Sequence, residues 1–165
     1  MEDVTAGAGS RRPPVGRVLG IDLGSVRIGI ALSDPARTIA SPHAVLLRSK
    51  DHATDHRAVL DLVREEEVTA IVVGLPLSLS GKTGPAAKAA EIEIEELRTV
   101  VGEGVKVVAH DERLTTIEAE RSLGNARMSR SQRRAVVDKV AAAVMLQSWL
   151  DRSPIGPQPS GRTRR

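Results

Sequence analysis

Blocks of apolar positions, separated by turn residues and charged stretches, set out the order of strands and helices along this chain. Short apolar runs bounded by turn residues predict strands at residues 17–23, 27–33, 41–47, 68–75 and 105–109. The first two runs are joined by Gly24-Ser25, which predicts a hairpin. The run at 68–75 is apolar throughout, which is typical of a central strand buried on both faces.

Helical spacing of apolar residues predicts helices at residues 52–66, 85–101, 115–123 and 131–149. Asp51 is a candidate N-cap, and Pro85 suits a first helical turn. An early hairpin predicts an antiparallel part of a sheet, and the later alternation of strands and helices predicts a parallel part. We therefore expect an α/β chain with one mixed sheet flanked by helices.

Composition limits the classes of protein that fit. A chain of 165 residues predicts one domain, which we place at residues 17–151. We expect its core to be aliphatic, because Phe and Tyr are absent and Trp149 is the single tryptophan. The absence of cysteine excludes disulfides and zinc–cysteine sites, and it agrees with a reducing cytosol, so we expect a cytoplasmic protein. No apolar run has the length of a membrane span, so no membrane partner is expected.

Both ends of the chain differ from the middle. Residues 1–16 are rich in Gly, Ala and Pro and are expected to be disordered. Residues 152–165 contain four arginines and no acid, so this segment carries +4 of a net charge of +3, and the remainder carries −1. We expect a disordered basic tail there, which either contacts phosphate through charge alone or is simply solvated.

Three acids are the candidate catalytic and metal-binding residues. Asp22 ends the first apolar run, and a carboxylate there is costly unless it is paired or bound to a cation; a hydrogen-bonded turn before Gly24 is the alternative. Glu112 follows the last predicted strand. Asp138 shares a helix face with small apolar residues, which favours an inward position over an exposed pair with Arg134.

Convergence of these acids would require a cation. Uncompensated carboxylates repel one another, and hard divalent ions with oxygen ligands remove that conflict. Mg²⁺ or Mn²⁺ suits such a site, and a pair of ions can clamp the attacking and leaving oxygens of a phosphodiester. His110 is adjacent, and we expect its hydrogen bonds to be satisfied at a strand end.

Basic residues near the acids are candidates for binding substrate phosphate: Arg27, Lys82, Arg113, Arg133 and Arg134. Arg133 and Arg134, with Arg127 and Arg130 beside them, form either a phosphate-binding face or a solvated one. Lys82 lies in a Gly-Lys-Thr sequence, but Pro76 occupies the position where a P-loop needs glycine. Few aromatic residues are available for base stacking, so structured RNA or branched DNA is the expected substrate.

Four motifs together carry a resemblance to a known family. In chain order they are Gly20-Ile21-Asp22-Leu23-Gly24-Ser25, Val73-Gly74-Leu75-Pro76-Leu77, His110-Asp111-Glu112-Arg113-Leu114 and Asp138-Lys139-Val140-Ala141-Ala142. Over residues 17–151 the chain resembles the YqgF/RuvX family of RuvC-like nucleases. The resemblance implies a ribonuclease-H-like fold with a five-stranded mixed sheet, and Asp22, Glu112 and Asp138 match the metal-binding acids of the family.

The resemblance also implies a function and its alternatives. It implies processing of the 5′ end of pre-16S rRNA in ribosome biogenesis, with pre-ribosomal particles as partners; Holliday junction resolution is the alternative, and it would require a homodimer. RuvC-like resolvases generally carry a fourth acid, which we do not place in this sequence. A non-catalytic nucleic-acid-binding module therefore stays open. Gly20 to Ser25 also resembles the phosphate loop of sugar kinases and actin-like ATPases, but those proteins need two such domains.

Overall fold

One mixed sheet of five strands forms the centre of the molecule. The computed structural model describes residues 16–78, 80–111 and 129–153. The strands are β1 (Arg17–Leu23), β2 (Arg27–Ser33), β3 (Ala40–Leu47), β4 (Val68–Leu75) and β5 (Lys106–Asp111). They lie in the order β3-β2-β1-β4-β5. The first three strands pair antiparallel, whereas β4 and β5 run parallel to β1.

Three described helices cover the two faces of this sheet: α1 (His52–Glu65), α2 (Pro85–Val101) and α3 (Arg130–Arg152). The carboxylate of Asp51 caps α1 by accepting a hydrogen bond of 2.8 Å from the Thr54 N–H, as the sequence predicts. α3 begins with a reciprocal capping box between Ser129 and Gln132. These caps satisfy N–H groups that have no partner inside their own helix.

The sheet has a separate aliphatic layer on each face. One layer joins Leu19, Ile21 and Ile71 to α1 and α2. The other joins Val18 and Val72 to α3, with Trp149 packed at its edge. The strand order and directions, with helices on both faces, are those of the ribonuclease-H-like architecture, so the predicted fold class is confirmed.

Two glycines allow α3 to approach the sheet closely. A Cβ at Gly20 would lie 2.8 Å from the Cβ of Leu146, and a Cβ at Gly29 would lie 2.2 Å from the carbonyl oxygen of Asp138. Any side chain at either position would displace the helix. The glycines in β1 and β2 therefore determine how near α3 lies to the strands.

Several predicted boundaries differ from the structure. β5 continues through His110 and Asp111 because parallel pairing with β4 continues there, although its residues become polar. α3 extends to Arg152, so the first residue of the predicted basic tail belongs to this helix. β3 begins one residue earlier than predicted and α1 ends one residue earlier.

The predicted helix 115–123 and most of both predicted tails (1–15 and 154–165) lie outside the described residues. Within the described ranges, no helix combines the length and the apolar character that a bilayer span requires.

Candidate active site

Asp22 lies near the end of β1, directly opposite Gly29 in the antiparallel register with β2. Its neighbours Ile21 and Leu23 pack in the layer beneath α1 and α2. Because successive side chains in a strand alternate between faces, Asp22 faces the side covered by α3. It is partly buried there, close to where the chain turns into β2.

Asp138 approaches the same place from α3. Its backbone carbonyl lies against Gly29, the residue paired with Asp22. On the same helix, Ala142 and Met145 are fully buried against the sheet, which confirms the predicted inward face. The structure therefore brings the first strand and the last described helix together at Gly29, with an acid on each.

Arg27 provides the positive charge beside Asp138. Its Nε donates a hydrogen bond of 2.6 Å to Oδ2 of Asp138. The two side chains are 19% and 29% exposed, so this ion pair is partly shielded from solvent. The sequence left open a pair between Asp138 and Arg134; the described partner is Arg27, 111 residues away along the chain.

The described donors suit a hard divalent cation. Asp22 and Asp138 offer carboxylate oxygens, which Mg²⁺ and Mn²⁺ prefer, and Asp138 already has a cationic partner in Arg27. Across the described ranges, no three acidic or histidine side chains converge as a complete metal site. The third candidate, Glu112, and the neighbouring Arg113 lie outside the described residues.

β5 ends at the same edge of the sheet. His110 pairs with Gly74 of β4, one register step beyond the row in which Val73 pairs with Ile21 of β1. The Nε2 atom of His110 is buried and has no hydrogen-bond partner among the described residues, so the expected hydrogen bond is not found there for this nitrogen. Burial lowers the pKa of His110, and the charge of Arg152 adds to the shift.

Three of the predicted phosphate-binding residues, Lys82, Arg133 and Arg134, lie in two exposed segments. Lys82 is in the loop after β4, where the Ser78 hydroxyl accepts a hydrogen bond of 3.1 Å from the Lys82 N–H. The loop leads to α2, whose N-cap Gly84 has no side chain to bind the first N–H groups. Arg133 and Arg134 are exposed in the first turns of α3, ahead of Asp138. Arg127 lies outside the described ranges.

Arg48 contacts the turn that follows Asp22, although the sequence analysis did not single it out. Its Nε donates 2.9 Å to the carbonyl of Gly24, in the turn that joins Asp22 to Arg27. Its guanidinium forms a two-point ion pair with Glu93 of α2. The sequence did contain one sign of this ion pair. Glu93 is an acid in the apolar stripe of α2, between Ala90 and Leu97, and a buried acid there requires a partner.

These features define a class of protein. The sheet order and its flanking helices give a ribonuclease-H-like protein with acids on β1 and on the last described helix. The family described as "RuvX: Holliday junction resolvase" matches residues 16–152. The chain belongs to the RuvX family, which confirms the resemblance drawn from the motifs.

Three similar curated relatives share the name "Putative pre-16S rRNA nuclease". The protein of Roseiflexus sp. (strain RS-1) is 43% identical, over 82% of this chain and 94% of its own length. That of Rhodococcus opacus (strain B4) is 44% identical, over 84% and 79%. That of Mycobacterium leprae (strain TN) is 46% identical, over 84% and 74%.

Among solved structures, the chain is similar to T. thermophilus RuvC in complex with a Holliday junction substrate. The identity is 16% and the TM-score 0.48, over 79% of this chain and 91% of that one. A protein from Cytophaga hutchinsonii described as a "putative sugar kinase" gives 14% identity and a TM-score of 0.40, over 67% of this chain and 40% of that one.

Proposed function

We propose that this protein is a metal-dependent nuclease that hydrolyses phosphodiester bonds and processes the 5′ end of pre-16S rRNA. The observation that carries the proposal is that Asp22 pairs with Gly29 while the backbone of Asp138 packs against the same glycine, with Arg27 bound to Asp138. Two acids and a guanidinium at one end of a sheet form a site that suits cations and phosphate. The relatives' shared name favours pre-16S rRNA as the substrate.

Asp22, Glu112 and Asp138 would hold Mg²⁺ or Mn²⁺, following the family motifs. A pair of such ions would supply Lewis-acid chemistry, namely activation of a water and stabilisation of the departing oxygen of a phosphodiester. The fold contributes the placement of two of these acids. Asp22 is fixed by the register with β2, and Asp138 by the contact of α3 with Gly29.

Arg27 has two tasks in this mechanism. It neutralises Asp138, and its partly exposed guanidinium is available to a phosphate oxygen beside the acids. Arg133 and Arg134 are exposed on the same helix as Asp138, and they would bind the nucleic-acid backbone next to the cleaved bond. Lys82 and Arg113 complete the proposed set of phosphate contacts.

Resolution of Holliday junctions is the second candidate, because the family description names that activity. A resolvase cuts two symmetric strands and therefore requires a homodimer. A third candidate, a non-catalytic module, would bind nucleic acid through the arginines without cutting it.

The test compares cleavage of a pre-16S rRNA leader with cleavage of a four-way DNA junction, with Mg²⁺ or Mn²⁺, by wild type and Asp22→Asn. We expect wild type to cut the RNA, and Asp22→Asn to lose cleavage while its circular dichroism is unchanged. Asp61→Asn is the matched control, because Asp61 is exposed on α1, across the sheet.

Each other result refutes a stated part of the proposal. Cleavage of the junction alone would favour the resolvase. Binding without cleavage in either metal would favour the non-catalytic module. Normal cleavage by Asp22→Asn would refute the assignment of Asp22 to the metal site.

A further inference from the structure

We propose that Arg48 is a positioning residue that holds the turn between Asp22 and Arg27 in its working geometry. The inference rests on the proposed nuclease function, because it concerns how two residues of that site are held. Arg48 follows β3 and lies between this turn and the two helices on the opposite face from α3. Its contacts in the described chain are with the backbone of this turn, Asp55 and Glu93, and it would act through that backbone.

The first observation is that two buried carboxylates, Glu93 of α2 and Asp55 of α1, hold the guanidinium; we call this pair the anchor. Nη1 and Nη2 of Arg48 donate 2.5 and 2.9 Å hydrogen bonds to the two carboxylate oxygens of Glu93. Nη1 also donates 3.2 Å to Asp55. The exposed fractions of the three side chains are 15% for Arg48, 6% for Glu93 and 3% for Asp55. A fork held at several points has little freedom to reorient.

The second observation is that Arg48 contacts the turn at two points. Its Nε donates 2.9 Å to the Gly24 carbonyl. Its own backbone N–H donates 3.0 Å to the Val26 carbonyl. Within the turn, the Gly24 N–H donates 3.1 Å to the carbonyl of Asp22. One residue therefore connects the anchor on α1 and α2 to the backbone between the metal-site acid and its neighbouring arginine.

The opposite charges of Arg48 and the two anchor carboxylates stabilise this ion pair in its buried position. The hydrogen bonds that Arg48 donates to Glu93 raise the pKa of Arg48 despite its burial. Burial alone would raise the pKa of Asp55, but hydrogen bonds from Ser49 and Arg48 outweigh it and lower that pKa. Removing the guanidinium would leave two buried carboxylates without their cation, which is strongly unfavourable.

The substitution Arg48→Lys tests the geometry of the guanidinium separately from its charge. It keeps the positive charge but has one ammonium group in place of a planar fork. A single nitrogen at the end of the side chain would pair with Glu93 and lose the Nε contact to Gly24. Arg48→Lys therefore releases the turn while keeping a cation in the buried anchor.

The experiment measures amide hydrogen exchange by NMR in wild type, Arg48→Lys and Glu93→Gln. We expect exchange at Gly24 to accelerate about tenfold relative to the core amide of Ile71 in Arg48→Lys, since local opening of the turn becomes easier. Glu93→Gln weakens the same anchor without changing Arg48, so we expect a smaller rise there. Val63→Ala is the control, because it loosens the layer beneath α1 without touching the turn.

Mn²⁺ titration by calorimetry provides the functional readout. We expect Arg48→Lys to bind Mn²⁺ several-fold more weakly than Val63→Ala at a temperature where both are folded. An unchanged exchange ratio, or an unchanged Mn²⁺ affinity, would overturn the proposal. If wild type itself binds no Mn²⁺, the proposed metal-dependent function fails, and the exchange ratio alone then decides whether Arg48 holds the turn.

Discussion

The carbonyl oxygen of Asp138 lies against Gly29 so closely that a Cβ at residue 29 would come within 2.2 Å of it. Gly29 is also the cross-strand partner of Asp22. The distance between the two acids is therefore governed by a residue that has no side chain. This relationship makes the geometry of the site sensitive to a single methyl group.

Gly29→Ala should destabilise the protein by about 1–3 kcal/mol, because the new methyl must displace α3 or strain the sheet. Urea denaturation measures the change, and metal-dependent cleavage should fall with it because Asp138 moves. Gly104→Ala is the control, since a Cβ there meets nothing within 4 Å. Equal stability of the two variants would show that α3 tolerates the methyl group.

Arg27→Met should separate cation binding from catalysis. Removing the guanidinium takes away the charge that competes for Asp138, so Mn²⁺ should bind several-fold more tightly. Cleavage should nevertheless decline, because the proposed phosphate contact is lost. Calorimetry and cleavage assays on one preparation give both values. Arg17→Met, in β1, is the control, and weaker Mn²⁺ binding by Arg27→Met would contradict this account.

Arg133→Ala combined with Arg134→Ala should weaken nucleic-acid binding and flatten its salt dependence. Each phosphate contact contributes roughly 0.9 to the slope of log K against log salt on duplex, so the double variant should lose about two units. Arg57→Ala combined with Arg64→Ala, both exposed on α1, should keep the slope. An unchanged slope in the first pair would assign those arginines to a solvated surface.

His52 should make stability depend on pH. Its hydrogen bond to Glu96 raises its pKa above the ordinary 6.5, with Glu93 adding to the shift and Arg48 opposing it. The stabilisation is fully present below pH 6.5 and is lost as the pH rises through the higher folded-state pKa. We expect less than about 1 kcal/mol, because the side chain is half exposed.

Urea denaturation at pH 6 and pH 8 measures the effect of His52. His52→Gln should flatten the difference between the two pH values, and Glu96→Gln should flatten it similarly. If His52→Gln keeps the full pH dependence of wild type, another group is responsible for it.

Local patterns were sufficient for most of the fold. The apolar runs placed β1, β2, β4 and α2 at their observed bounds, because burial and turn residues both mark those limits. The predicted end of β5 was wrong, because β5 continues to pair with β4 after its residues become polar. α3 was underestimated at both ends: a capping box sets its start, and at its end the helix continues through the buried Leu150 into two charged residues.

Less of the candidate site than of the fold could be predicted from the sequence. Asp22 and Asp138 could be nominated, because each interrupts an apolar pattern where a carboxylate is costly. Their meeting at Gly29 depends on strand register and helix packing, which no local pattern encodes. Arg48 was missed for the same reason: its partners lie in a turn and two helices far apart in the chain.

Trp149 gives the molecule a built-in optical reporter. It is the single tryptophan in a chain without tyrosine or phenylalanine. It lies on α3, the helix that carries Asp138, at the edge of the layer packed against the sheet. Its emission wavelength should therefore shift when that helix separates from the strands, so one fluorescence band can follow the assembly of the acidic site during folding.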